Sequence, residues 1–338
     1  MEVAALLKLS INVEEGYEGR FHYLKLISNQ LRDAGIDVNF QNDDGDVLLF
    51  QAGVLEEHEA KNGPVTRPML VYERIACAAL SVSSKHRKLL ARPNVIGWLK
   101  ETSFRDWTTY NQPVVSNRYH VGVLAKSIND EAANELVEPA MQIDADLARK
   151  IIAAPPIHLQ SRYDAYRLLD RRKLKTRKVD VCCAGTTQYG TELLSRHRYI
   201  AAQEILKLQD RATIIGTGRV VPGPEFPTFL QSAKMFVSPY GYGEYSWKDF
   251  EAIYAGCVLI KPPMSGIRVG LFDLYAEKRH HVEADLWYSN LREIVTEILD
   301  NLGDYERRTE QTRQAILASS HPDEITRDFL GWFKQLPL

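Results

Sequence analysis

At 338 residues the chain is long for one compact domain and comfortable for two. Its 45% apolar and 25% charged content is that of an ordinary globular protein, which excludes a disordered or fibrous chain. Forty-two basic against forty-four acidic side chains leave a formal charge of −2; this is too balanced for a protein whose main business is wrapping a nucleic-acid backbone, so no nucleic-acid partner is expected and any anion site must be local.

The opening run MEVAALLKLSINVEEG carries Glu2 and is broken by Lys8, unlike the basic and then uninterrupted apolar regions of a secretory signal. Nowhere does the chain hold the roughly 18 consecutive apolar residues that a transmembrane helix needs, so no transmembrane segment is expected. Cys77, Cys182, Cys183 and Cys257 lack CxxC spacing, and no Asn begins an Asn-X-Ser/Thr acceptor. Both features suit a reducing, cytoplasmic setting.

In chain order, VAALLKLSI reads as a strand and Glu14–Gly19 as a glycine-containing loop. FHYLKLISNQLRDAGI then repeats apolar residues at three and four, the period of a helix ending at Gly35. DVNFQ, DVLLFQ, PMLVYE and NVIGWL are further short runs rich in Val, Ile and Leu, separated by turn-forming or helix-compatible stretches. Strands alternating with helices predict a mainly parallel sheet covered on both faces. Between Ala153 and Thr176 the Pro155-Pro156 pair, followed by the basic stretch SRYDAYRLLDRRKLKTRK, marks the inter-domain connection. Beyond it the chain repeats the alternation. KVDVCC, ATII, KMFV and CVLI are strands; TELLSRHRYIAAQEILKLQ, FPTFLQSA and SWKDFEAIYAG are the helices between them. The tail from Leu291 is helical. Two Rossmann-like α/β domains are therefore expected, over residues 1–165 and 166–320, with a C-terminal helix over 321–338 beyond them.

Ligands of open parallel sheets sit at the carboxyl ends of the strands, where helix N-termini favour anions. Two such loops in the second half are chemically loaded. In CAGTTQYGTELLSRHR, Gly185 and Gly190 allow close backbone approach, Thr186 adds a hydroxyl, and Arg196 and Arg198 follow on the helix, a set suited to a diphosphate. In SPYGYGEYSWKDFEAIYAGC, Tyr240, Gly241 and Gly243 form an open loop. Ser246 is a plausible N-cap, Lys248 can neutralise a phosphate, and Glu251 can accept from a ribose diol. Either set also has a purely structural reading, as a tight turn and a solvated helix face.

The second stretch resembles the donor-binding segment of exostosin-like and related group 1 glycosyltransferases of the GT-B type. Five elements match in order: Ser238-Pro239, Gly241 to Gly243, Ser246-Trp247-Lys248, Phe250-Glu251-Ala252 and Ala255-Gly256-Cys257. The resemblance covers about residues 180 to 262. It implies a GT-B fold with two doubly wound domains around a cleft, a sugar nucleotide bound to the second, and the segment 321–338 packing back on the first. Glu251 would then hold the ribose, and Lys248 with Arg196 or Arg198 the diphosphate, with no metal and no other cofactor. It further implies transfer to a glycan or glycoconjugate acceptor. Retaining enzymes of this type place a second acid eight residues before the ribose-binding one. Here that position is Gly243, and Glu244, displaced by one, is counted with the donor-binding residues. A sugar-nucleotide 2-epimerase, or a non-catalytic carbohydrate-binding scaffold, are the alternatives on the same fold.

IIGTGRVVPG lacks the third glycine of a dinucleotide fingerprint at Val221, so it is read instead as a loop that touches the nucleotide base. A base or acceptor-side group should come from the first half, where the candidates are His120, Glu73 and Glu18. His120 is read as lying beside a strand. No group of His, Cys, Asp or Glu has metal-ligand spacing along the chain, so a metal site is not expected.

Overall fold

The computed structural model describes the chain except residues 1–5, 16–17, 42, 74–76, 80–83, 112–118, 129–142, 155–162, 170–171, 190, 271 and 278–279. The Pro155-Pro156 pair and Gly190 lie outside the described residues.

Six strands form the first sheet: β1 (Leu7–Asn12), β2 (Ile36–Phe40), β3 (Val47–Gln51), β4 (Met69–Glu73), β5 (Val95–Lys100) and β7 (Ile151–Ala153), in the order β2-β1-β3-β4-β5-β7. Every pairing is parallel. Strand β3 explains why its sequence runs apolar without alternation. Leu48 and Phe50 enter one buried cluster while Val47 and Leu49 enter another on the opposite face, as a sheet covered on both sides requires. The expected helix before Gly35 is split into His22–Leu26 and Ser28–Asp33 at Ile27, whose φ of −106° and ψ of 12° leave the helical range.

The second sheet is also parallel throughout. It holds β8 (Val179–Cys182), β9 (Ile214–Ile215), β10 (Ala233–Val237), β11 (Val258–Lys261) and β13 (Val282–Glu283), in the order β13-β11-β10-β8-β9. Cys182 and Cys183 fall in different clusters on its two faces, as the period of two demands. Order reverses between β8 and β10, so their carboxyl ends open a crevice at a topological switch point.

A two-stranded antiparallel ribbon joins the halves: β6 (Thr102–Phe104) pairs with β12 (Ile267–Val269). The basic stretch before β8 yields two short turns of helix, Asp164–Arg167 and Leu174–Thr176, followed by Arg177. That side chain is buried and donates to the carbonyls of Ala233 (2.7 Å) and Ala255 (2.6 Å), so it ties strand and helix ends together. The last helix, Pro322–Phe333, places Ile325, Phe329 and Phe333 in the cluster that holds Leu9 and Ile11 of β1. Among the described residues no helix is long and apolar enough to cross a membrane.

Candidate donor site in the cleft

The loops that follow β8 and β10 meet at the switch point. They enclose a cavity of about 280 Å³ lined by Ala184, Tyr189, Arg198, Ser238, Gly241 to Gly243 and Lys248, among others. Gly185 takes φ +137°, and a Cβ there would stand 2.6 Å from Arg198 Nη2 and 3.3 Å from Lys248 Nζ. Only a glycine lets the backbone pass this close to two cations. Arg198 is fixed by donating to the carbonyls of Thr186 (2.6 Å), Tyr240 (2.9 Å) and Pro239 (3.3 Å), and its guanidinium lies 5.0 Å from the Tyr189 ring. Lys248 donates to the Ala184 carbonyl at 3.0 Å. Burial, and then the charge of Arg198, hold its ammonium below the usual lysine range. Two cations confined against backbone carbonyls, with Glu251 and Asp249 also acting on Lys248, form a candidate anion site whose ligand would relieve their repulsion.

The helix Trp247–Tyr254 starts at this cavity with a capped first turn. Ser246 Oγ accepts from Lys248 N (3.3 Å), and Asp249 accepts from Ser246 N (2.9 Å), a capping box. Asp249 has a second task, an ion pair at 2.9 Å with Lys261 in which both side chains are fully buried. Glu251 is buried one turn beyond Lys248 and lies near enough to act on its charge.

Other residues singled out in the sequence stand elsewhere. Arg196 is exposed on the helix Glu192–Leu206. Two residues from Arg198 is about 200° of helical rotation, so the two guanidinium groups cannot share one ligand. Thr186 spends its hydroxyl on a local turn with Gln188. Tyr240 is buried, donates to the Pro263 carbonyl at 2.5 Å and stacks on His197. Glu244 turns away from the cavity toward the first half. There it accepts from the Cys77 thiol (3.1 Å) and the Ala78 N–H (3.0 Å) and pairs with His120 Nδ1 at 3.2 Å. Burial pushes its carboxyl up, but the His120 contact together with the hydrogen bonds from Cys77 and the backbone leaves it below the usual range.

His120 begins the helix Tyr119–Ile128 and does not flank a strand. Its other nitrogen lies 3.1 Å from the Gly241 carbonyl. Glu73 is occupied by Trp98 Nε1 (2.8 Å) and Lys100 Nζ (3.0 Å) inside the first half. Glu18 accepts from Gln41 Nε2 at 2.7 Å on the side of β2. Of the three candidates in the first half, His120 alone reaches the glycine loop. Cys77, His120 and Glu244 bring metal-ligand atom types within 4.8 Å of one another, a grouping invisible in sequence spacing. Burial and the Glu244 charge raise the Cys77 thiol well above its ordinary pKa, so it stays protonated and donates.

Glu101 was not singled out in the sequence. It is buried just past β5 and accepts from Tyr72 (3.1 Å), Tyr245 and Arg20, thereby joining the two halves. Its signal was present: an acid directly after an apolar strand, where open sheets place their ligands.

Two parallel α/β sheets, each with its carboxyl ends turned to a common cleft, define a GT-B fold. A solved alpha-glucosyltransferase in complex with UDP and a 13-mer DNA containing a HMU base shares it with a TM-score of 0.50 at 10% identity, over 98% of this chain and 99% of that one. A sucrose-phosphate synthase from Thermosynechococcus elongatus follows at 0.46 and 12% identity, over 97% and 98% of the two chains. Anabaena HepE in complex with UDP-glucose gives 0.43 at 10% identity, over 97% and 100%. No protein-family model matches the chain, and no curated protein matches it.

Proposed function

We propose that the protein is a glycosyltransferase that moves a sugar from a nucleoside-diphosphate sugar to a carbohydrate or glycan acceptor, without a metal. The observation that carries this reading is the convergence of Gly185, Arg198 and Lys248 at the switch point of the second sheet. The diphosphate lies against the Gly185 backbone. As the glycosidic bond breaks, the charge developing on the departing phosphate is met by Lys248, Arg198 and the N-terminus of the helix Trp247–Tyr254. These donors are held in place beforehand by backbone carbonyls, so little reorganisation accompanies the reaction. Glu251 takes the ribose hydroxyls. The base enters the neighbouring cavity of about 540 Å³ lined by Ile215, Gly216, Arg219 and Val221.

His120 is assigned the acceptor side of the cleft. In the state described it holds the glycine loop through Glu244 and Gly241, which sets the position of the loop relative to the first half. All four cysteines are buried and unpaired, which supports a reducing, cytoplasmic location.

Calorimetry with a panel of nucleoside diphosphates tests the reading, and binding of at least one that persists in EDTA is expected. Lys248→Met and Glu251→Ala should each weaken it by about 1–3 kcal/mol, the loss of hydrogen bonds to a charged group. Absence of binding to every member of the panel would sink the proposal; unchanged affinity in Glu251→Ala would remove the ribose assignment.

A further inference from the structure

Three buried side chains beside the donor cavity carry the atom types of a transition-metal site. Cys77 follows β4 in the chain, His120 stands in the first turn of the helix Tyr119–Ile128, and Glu244 comes from the glycine loop of the second half. They are 0%, 1% and 1% exposed, and none of them lines the donor cavity. Glu244 Oε1 lies 3.1 Å from Cys77 Sγ and 3.2 Å from His120 Nδ1, and the three ligand atoms fall within 4.8 Å of one another. In a tetrahedral zinc site, bonds of about 2.0–2.3 Å put such atoms about 3.3–3.6 Å apart. Both short sides of this triangle therefore open only slightly to take an ion.

Each of the three is also oriented from behind, as metal ligands are. His120 Nε2 lies 3.1 Å from the Gly241 carbonyl, which can only accept, so Nε2 carries a proton and Nδ1 faces the cluster. Glu244 Oε2 accepts from the Ala78 N–H at 3.0 Å and leaves Oε1 to the cluster. Cys77 Sγ takes the backbone N–H of Tyr119 at a helix N-terminus, where a thiolate is favoured. Nδ1 and the carboxylate oxygen both offer lone pairs to each other, so a cation must stand between them, either a proton or a metal. The lysines that also act on the cluster are already paired, Lys100 with Glu73 at 3.0 Å and Lys261 with Asp249 at 2.9 Å.

We propose that Cys77, His120 and Glu244 bind one zinc ion that ties the glycine loop to the first half. A thiolate, an imidazole and a carboxylate are ligands that zinc takes, with water at the fourth position. The ion takes the place of two protons, the thiol's and the one shared by Nδ1 and Oε1, so two negative charges meet its two positive ones. It lies off the cavity of Arg198 and Lys248 and takes no part in the transfer. The proposal is independent of the donor assignment.

Titration of cobalt(II), and then zinc, into the full chain without a histidine tag and stripped by a chelator tests the site. The wild type is expected to bind one cobalt ion per chain with a thiolate-to-cobalt charge-transfer band in the near ultraviolet. Zinc should displace the cobalt and raise the melting temperature. Cys77→Ser should lose the band and Cys182→Ala should keep it. Glu244→Gln keeps the side chain's shape and should bind cobalt at least about tenfold more weakly, the least loss expected when a metal ligand is impaired; it carries the test should Cys77→Ser fail to fold. No band in the wild type, a band retained in Cys77→Ser, or equal affinity in Glu244→Gln overturns the proposal and leaves the cluster held by protons alone. UDP binding measured on the same samples with and without zinc reads the donor site separately.

Discussion

Position 281 holds a buried histidine whose two ring nitrogens lack hydrogen-bond partners, and burial, reinforced by the nearby Lys261 charge, depresses its pKa from 6.5 to about 4. His197 is depressed further, to about 3, again by burial first and then by the charge of His120. Both are neutral in the folded state at neutral pH. The unfolded chain takes up protons at these positions near pH 6.5 while the folded chain does not, so stability falls as pH drops from about 6.5 toward each folded value. His281→Phe removes one such group without breaking a hydrogen bond. The pH dependence of unfolding free energy between pH 6 and 4, followed by urea denaturation, should then flatten by up to ~1.4 kcal/mol per pH unit. An unaltered slope would show that His281 is protonated in the folded protein. At this scale the sequence is half legible. Lys248 is marked by its place in a capped first turn, whereas choosing Arg198 over Arg196 requires the helix to be docked, because docking alone decides which face points at the loop.

The segment from Gly241 to Trp247 works as one element with two sides. Its glycines line the donor cavity, Glu244 enters the first half against Cys77 and His120, Tyr245 reaches Glu101, and Trp247 lies 5.3 Å from the Arg20 guanidinium. The element that lines the candidate donor cavity is thus also one that ties the two halves together. Glu244→Ala strands a buried His120 and the Ala78 N–H, and breaking a buried pair on one side costs about 3–5 kcal/mol. A melting curve should register that loss. Pairing it with His120→Ala in a double-mutant cycle should give a combined loss smaller than the sum of the two. Strict additivity would mean that the contact contributes nothing. The existence and place of this element follow from its Pro, Gly and Ser spacing. Its inward-facing acid was assigned to the donor because spacing along a chain carries no information about what lies across a cleft.

Over the whole molecule, the chain crosses back at its end. Ile325, Phe329 and Phe333 of the last helix belong to the core beneath β1, so the face of the first sheet is completed by residues distant in sequence. Phe329→Ala should destabilise the protein by about 3–5 kcal/mol, the cost of a buried cavity of that size, measured by chemical denaturation. A change below ~1 kcal/mol would mean that the helix is not part of the core. Sequence by itself determined the alternation of strands and helices, the two parallel sheets and the glycine loops at strand ends, because these rest on local periodicity and turn chemistry. Tertiary structure alone decided two further things: Arg198 and Lys248 converge on Gly185, and Glu244 belongs to His120. Each of these depends on distances between residues far apart in the chain, which are set only when the two sheets pack across their cleft.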